Sequence, residues 1–269
     1  MKFDMGRAWS QATKMLSTNR DLVLVLAGVF FFLPLLALSL TLPDVMAGLP
    51  KDPEAQQAAL MAAFEQLLTD YWWAFLLAEV FSGIGALALL ALLRDSSRPT
   101  LAEALKLGGM AVVSYFAARI LVSIALLLAL SIPASLGAAA GIPAVAILSE
   151  GIGVGLVMYL FVRLSLTIPT IGIERVYSPI TAMVRSWRLT KGHSLRLLAF
   201  YFLIGVCALV IYLVVSMIFG LVFALFGEES QAILTSLLAS LLAAAMLSVM
   251  VAVLAAAHRQ LAHAKSENA

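Results

Sequence analysis

Six apolar runs constrain this chain more than any other feature: approximately Leu22–Leu42, Trp72–Leu93, Gly109–Leu136, Ile142–Thr170, Leu195–Phe226 and Ile233–His258. The hydrocarbon core of a bilayer is about 30 Å thick, and an α-helix crosses it in about 20 residues. Each run is long and continuous enough to do so. The expected fold class is therefore all-α, a polytopic membrane helical bundle of about six transmembrane helices. Composition points the same way. The 269 residues are 63% hydrophobic and 12% charged, with mean hydropathy +1.04, whereas a soluble domain is about half apolar and a quarter charged.

The third and fourth runs meet at Gly137–Gly141 with almost no loop, which predicts a tight turn. Pro34 and Pro133 lie within runs and are kink candidates. The first run also has small residues, Ala37 and Ser39, of the kind that precede a signal-peptidase cut. Its long patterned leader and its extent favour a retained span. Cys207, the single cysteine, sits in an apolar run and has no partner for an intrachain disulfide.

Lys and Arg mark the cytoplasmic side of a membrane protein. With the N-terminus inside, that side receives Lys2, Arg7, Lys14, Arg20, Arg94, Arg98, Lys106, Arg175, Arg185, Arg188, Lys191, Arg196, Arg259 and Lys265. The other side receives Lys51 with Asp44, Asp52, Glu54, Glu65, Asp70, Glu228 and Glu229. The expected localisation is a bacterial-type inner membrane with both termini cytoplasmic.

Each outward span follows a short amphipathic segment on the basic side. Phe3–Leu16 gathers Phe3, Ala8, Trp9, Ala12 and Leu16 near one face; Thr100–Leu107 opens with a Thr100/Glu103 capping box; Ser178–Lys191 has Ser178 as cap, Pro179 at the first helical position and Gly192 at its end. One integral membrane domain is expected over 1–269, with a threefold repeat of surface helix plus two spans over 1–98, 99–177 and 178–269. On the opposite side, Pro50–Asp70 reads as a mildly acidic amphipathic helix ahead of an aromatic belt at Tyr71, Trp72 and Trp73.

Two groups of residues are candidate sites. Arg185, Trp187, Arg188, Lys191 and Arg196 form a basic set suited to lipid head groups, or to plain interfacial anchoring. Within the spans lie Glu79, Arg119, Glu150 and Arg163. Counting residues at 1.5 Å each puts Glu79, Arg119 and Glu150 at similar depth, with Arg163 near enough to the basic side to snorkel. Such charges pair or face a cavity, so the three form either a structural ion pair with a spare acid or a transport site. Ser114, Ser123 and Ser149 offer further hydrogen bonds there. The GxxxG spacing of Gly151 and Gly155, with Gly153 between, predicts close packing of spans within the chain.

No catalytic constellation emerges: there is no GxSxG, no thiolate cluster, and His258 and His263 stand five apart with no acid between them. No catalytic residue, metal or cofactor is called for. A net charge of +2 gives no field for nucleic acid. Expected partners are membrane lipids, anionic phospholipids among them, or a protein of the envelope. The alternative function is a small-molecule or lipid transporter with a midplane charged site.

Arg163, Pro169, Glu174 and the run Arg185-Ser186-Trp187-Arg188-Leu189-Thr190-Lys191-Gly192 resemble a group of bacterial integral-membrane proteins. The group includes the membrane domain found ahead of some glycerophosphodiester phosphodiesterases. The resemblance implies a multi-helix membrane fold and a link to glycerophospholipid metabolism or the envelope. It places the phosphodiesterase chemistry in a separate soluble barrel and brings no catalytic residue here.

Overall fold

The computed structural model describes residues 3–43, 49–94 and 100–266, with 265 and 266 by backbone only. Lys2, Asp44, Arg98 and the side chain of Lys265 lie outside the described residues. The described chain is helical: α1 Met5–Thr18, α2 Arg20–Ala27, α3 Leu33–Thr41, α4 Pro53–Asp70, α5 Trp72–Arg94, α6 Leu101–Ala139, α7 Pro143–Leu164, α8 Thr167–Glu174, α9 Pro179–Thr190, α10 Ser194–Phe223 and α11 Glu228–Ser266. Six spans are long and apolar enough to cross a membrane: Arg20–Thr41, Trp72–Arg94, Leu101–Ala139, Pro143–Glu174, Ser194–Phe223 and Glu228–Ala264.

Proline explains the irregularity of the first span. Pro34 has no N–H, and its ring crowds the carbonyl four residues back. Residues Gly28–Phe32 widen into a π-helical turn, and the N–H of Leu33 reaches the Gly28 carbonyl instead. Pro133, by contrast, lies inside an uninterrupted α6. The predicted turn between the third and fourth spans is present: Gly141 takes φ +66°, a left-handed conformation suited to glycine, and Pro143 starts α7.

One expected boundary is absent. Thr100–Leu107 is not a separate surface helix but the start of α6, whose 39 residues extend about 58 Å. The capping box forms as expected, with Glu103 accepting from the Thr100 N–H at 2.9 Å and Thr100 Oγ1 accepting from the Glu103 N–H at 3.3 Å. Gly108 does not break the helix because α5 lies against it. A Cβ there would sit 3.1 Å from the Ala88 nitrogen and the Ile84 carbonyl.

The C-terminal part of α5, Leu87–Leu93, is buried among α11, α8, α6 and the first span. Gly153, not Gly151 or Gly155, makes the close approach of α7 to α6, its missing side chain facing the Leu130 carbonyl at 3.3 Å. Gly151 and Gly155 face open space, so the GxxxG pair does not pack within the chain. At the far end, α4 is capped by Asp52 and buries only Leu67.

The two ends of the described chain meet on one face, termed here the terminal face. Ala8 and Ala12 of α1 are buried against α11, and the Gln260 carboxamide pairs with the backbone N–H and C=O of Asp4, each at 3.2 Å.

Candidate functional site at the terminal face

The site begins with a broken helix. Pro169 lacks an N–H, and its ring would collide with the Ser165 carbonyl in a continuous helix. The chain accordingly leaves helix at Ser165–Leu166 and resumes at Thr167. The break leaves the Arg163 carbonyl and the Leu166 N–H in need of partners. Ser186 of α9 supplies both: its hydroxyl donates to the Arg163 carbonyl at 2.8 Å and accepts from the Leu166 N–H at 3.1 Å. Ser186 and Thr190 are fully buried. A basic helix is thus stitched into the body of the protein through its polar side.

Arg163 does not snorkel. It is only 3% exposed, with its guanidinium carbon 4.2 Å from the centroid of the Trp187 ring and 5.7 Å from that of Tyr159. The two rings meet edge to face at 5.7 Å. One guanidinium nitrogen reaches Thr190 Oγ1 at 3.4 Å, and Nε is buried with no hydrogen-bond partner among the described residues. Trp187 therefore faces a cation rather than the acyl boundary. A desolvated cation over an indole gains about 2 kcal/mol or more, which makes this the better use of the ring.

A second cluster joins α8, α9 and α11. After Glu174 the chain reverses with Arg175 in a left-handed conformation (φ 58°). Glu174 accepts two bonds from Arg185 Nε, at 3.2 and 3.1 Å, and one from Nη2 at 3.2 Å. The same carboxylate lies 3.0 Å from Nε2 of His258, which is buried. The next residue, Arg259, donates to the carbonyls of Leu93 and Arg94, capping the end of α5 with positive charge. Glu174, His258, Arg94 and Arg259 border an open cleft of about 530 Å³.

The predicted head-group set is thereby divided. Arg185 and Trp187 have inward partners, whereas Arg188, Lys191 and Arg196 are exposed. Gly192, at φ +85°, turns the chain between Lys191 and the start of α10. Burial, with the charge of nearby Arg196, holds His193 below the ordinary histidine range.

Of the intramembrane residues, the structure brings two together. Arg119 Nε donates to Glu79 Oε1 at 3.1 Å, and Tyr115 Oη donates to the same oxygen at 2.9 Å. Gly83, one turn from Glu79, makes room for the Tyr115 ring; a Cβ there would lie 2.6 Å from Cε1. Glu150 does not join them. It is exposed on α7 with no ion pair or hydrogen bond among the described residues. Ser114 donates to the Tyr177 carbonyl and Ser149 to that of Val145.

A family model described as the membrane domain of glycerophosphoryl diester phosphodiesterase matches residues 114–262, just over half of the chain. The chain belongs to this family. Comparison with curated proteins and with solved structures yields no match. As a member of the glycerophosphoryl diester phosphodiesterase membrane-domain family, it is a multi-pass membrane protein. The match runs from the middle of α6 to near the end of α11, and so takes in Arg163, Glu174, Ser186, Trp187 and His258. Glu174 carries part of the resemblance, but His258 stands 84 residues further on. No local spacing in one sequence signals that pair.

Proposed function

We propose that this is a non-enzymatic inner-membrane protein whose terminal face lies in the cytoplasmic leaflet and engages anionic phospholipids. The observation that carries the reading is the division of the basic set. Arg185 and Trp187 fix α9 to the body of the bundle, and this leaves Arg188, Lys191 and Arg196 exposed at the end of a rigidly held helix and the start of the next. A cation near an anionic leaflet gains on the order of 1 kcal/mol. Three on one immobile platform act together without losing the ordering entropy a mobile segment would lose. The family's name refers to glycerophosphoryl diesters, and these share their glycerophosphate group with phospholipids.

The Glu79–Arg119 pair is assigned a structural role in this reading. One acid and one base on adjacent spans satisfy each other, Tyr115 completes the acid, and Glu150 stands apart. A transport site would need a carboxylate free to exchange its partner.

Native mass spectrometry from an equimolar mixture of phosphatidylglycerol and phosphatidylethanolamine tests the proposal. The parent should retain phosphatidylglycerol preferentially, and the triple variant Arg188→Gln, Lys191→Gln, Arg196→Gln should lose most of that preference. Equal retention of the two lipids by the parent contradicts the reading.

A further inference from the structure

An apolar groove of about 620 Å³ runs between α10 and α11 and is closed at the terminal face by α1. Leu203, Cys207 and Ala208 line one wall, Ala245 and Met246 the other, and Trp9 of α1 lies across the end. Small residues at Gly6, Ala208 and Ala245 leave the space. A ring contact between Phe3 and Phe200, 5.6 Å between centroids, seats α1 over the start of α10. The groove's wall on α10 runs from Phe200 to Ile211, about 16 Å at 1.5 Å per residue. That equals half of a hydrocarbon core about 30 Å thick, so the groove has the length of one leaflet and opens sideways into it.

Three facts choose the occupant. An apolar cavity of this kind does not hold water. The groove lies along a spanning helix, where the surrounding medium is acyl chain. A cation stands one turn before the groove's first residue on α10: Arg196, which is exposed, precedes Phe200, Leu203, Ile204 and Cys207 by four, seven, eight and eleven residues, the spacing of a single helix face. Side chains lean toward a helix's N-terminus, so Arg196 extends from the mouth toward the head-group layer. Trp9, an amphipathic ring suited to that layer, lines the same groove.

The geometry points to a specific site for one anionic glycerophospholipid, with an acyl chain in the α10–α11 groove beneath α1 and its phosphate at Arg196. The inference rests on the lipid-engaging reading above and assigns it a place.

The test is native mass spectrometry on the full chain with the same two lipids, using three variants whose folding is checked by thermal melting. Ala208→Trp fills the groove, Arg196→Gln removes the charge at its mouth, and Leu213→Trp places the same ring on the opposite face of α10. The parent and Leu213→Trp should each keep one phosphatidylglycerol. Ala208→Trp should lose it, and Arg196→Gln should cut the preference over phosphatidylethanolamine at least several-fold. If Ala208→Trp keeps the lipid, or Leu213→Trp loses it equally, the groove is not the site, while the wider lipid reading stands on the charge variants. If Arg196→Gln leaves the preference intact, the phosphate is not at Arg196. A parent that retains neither lipid overturns both proposals.

Discussion

The guanidinium of Arg163 lies over the Trp187 indole at 4.2 Å, so the only Trp of the basic helix is turned inward onto a buried cation. That contact, with Ser186 bridging the broken helix beneath it, makes α9 part of the bundle rather than a segment floating on lipid.

Removing the ring should therefore damage the fold. Trp187→Ala leaves Arg163 buried without the nearer of its two π partners and opens a cavity. Expected destabilisation is about 3–5 kcal/mol. Trp187→Phe should recover part of it. Thermal melting of the purified protein in detergent checks both, and a Trp187→Ala that melts like the parent refutes the account of α9.

Ser186→Ala should cost about 1–3 kcal/mol, because it strands the Leu166 N–H in a buried site and leaves the Arg163 carbonyl only its longer bond from Thr190 Oγ1, at 3.3 Å. The loss should appear locally as faster amide hydrogen exchange at Leu166. Unchanged exchange there would mean that the break is held by something else.

Glu174→Gln removes the negative charge shared by Arg185 and His258 and turns one acceptor oxygen into a donor. Arg185 is partly exposed, so the cost is smaller than for a fully buried pair, about 1–3 kcal/mol. Hydrogen exchange should quicken along α9 and the last turns of α11 while the far ends of the spans stay protected. Uniform protection would show that the cluster does not clamp these helices.

Between α5 and α6, Arg119→Ala should lower stability by on the order of 1 kcal/mol, the scale of a polar contact between membrane helices. Gly83→Ala should act on the same element by displacing Tyr115 from Glu79, at about 1–3 kcal/mol for overpacking. Thermal melts measure both. If Arg119→Ala melts like the parent yet loses a lipid-retention or transport signal, the pair has a functional role rather than a structural one.

What the sequence discloses here is distance along a helix; what it conceals is direction around it. Counting residues places Glu79, Arg119 and Glu150 at one depth, and six spans follow from length and hydropathy alone. Which of three acids and bases meet depends on how α5, α6 and α7 are rotated, and Glu150 is turned outward. The same blindness affects the surface helices. The apolar face of α1 reads as lipid-facing, yet Ala8 and Ala12 are buried against α11. A Trp on a basic helix suits lipid and guanidinium equally well, and only the tertiary fold chooses. Caps and turns are legible because they are local: Thr100, Glu103, Ser178 and Gly141 behave as their chemistry predicts. The clamp of Glu174 and His258 is a product of assembly.

The arrangement of charge on one leaflet underlies every functional statement above, and membrane-impermeant maleimide labelling in intact cells tests it directly. In a Cys207→Ser background, Lys51→Cys should react from outside, whereas Lys14→Cys and Lys191→Cys should react only after the membrane is opened. Labelling of Lys14→Cys or Lys191→Cys in intact cells, with Lys51→Cys protected, would contradict the account.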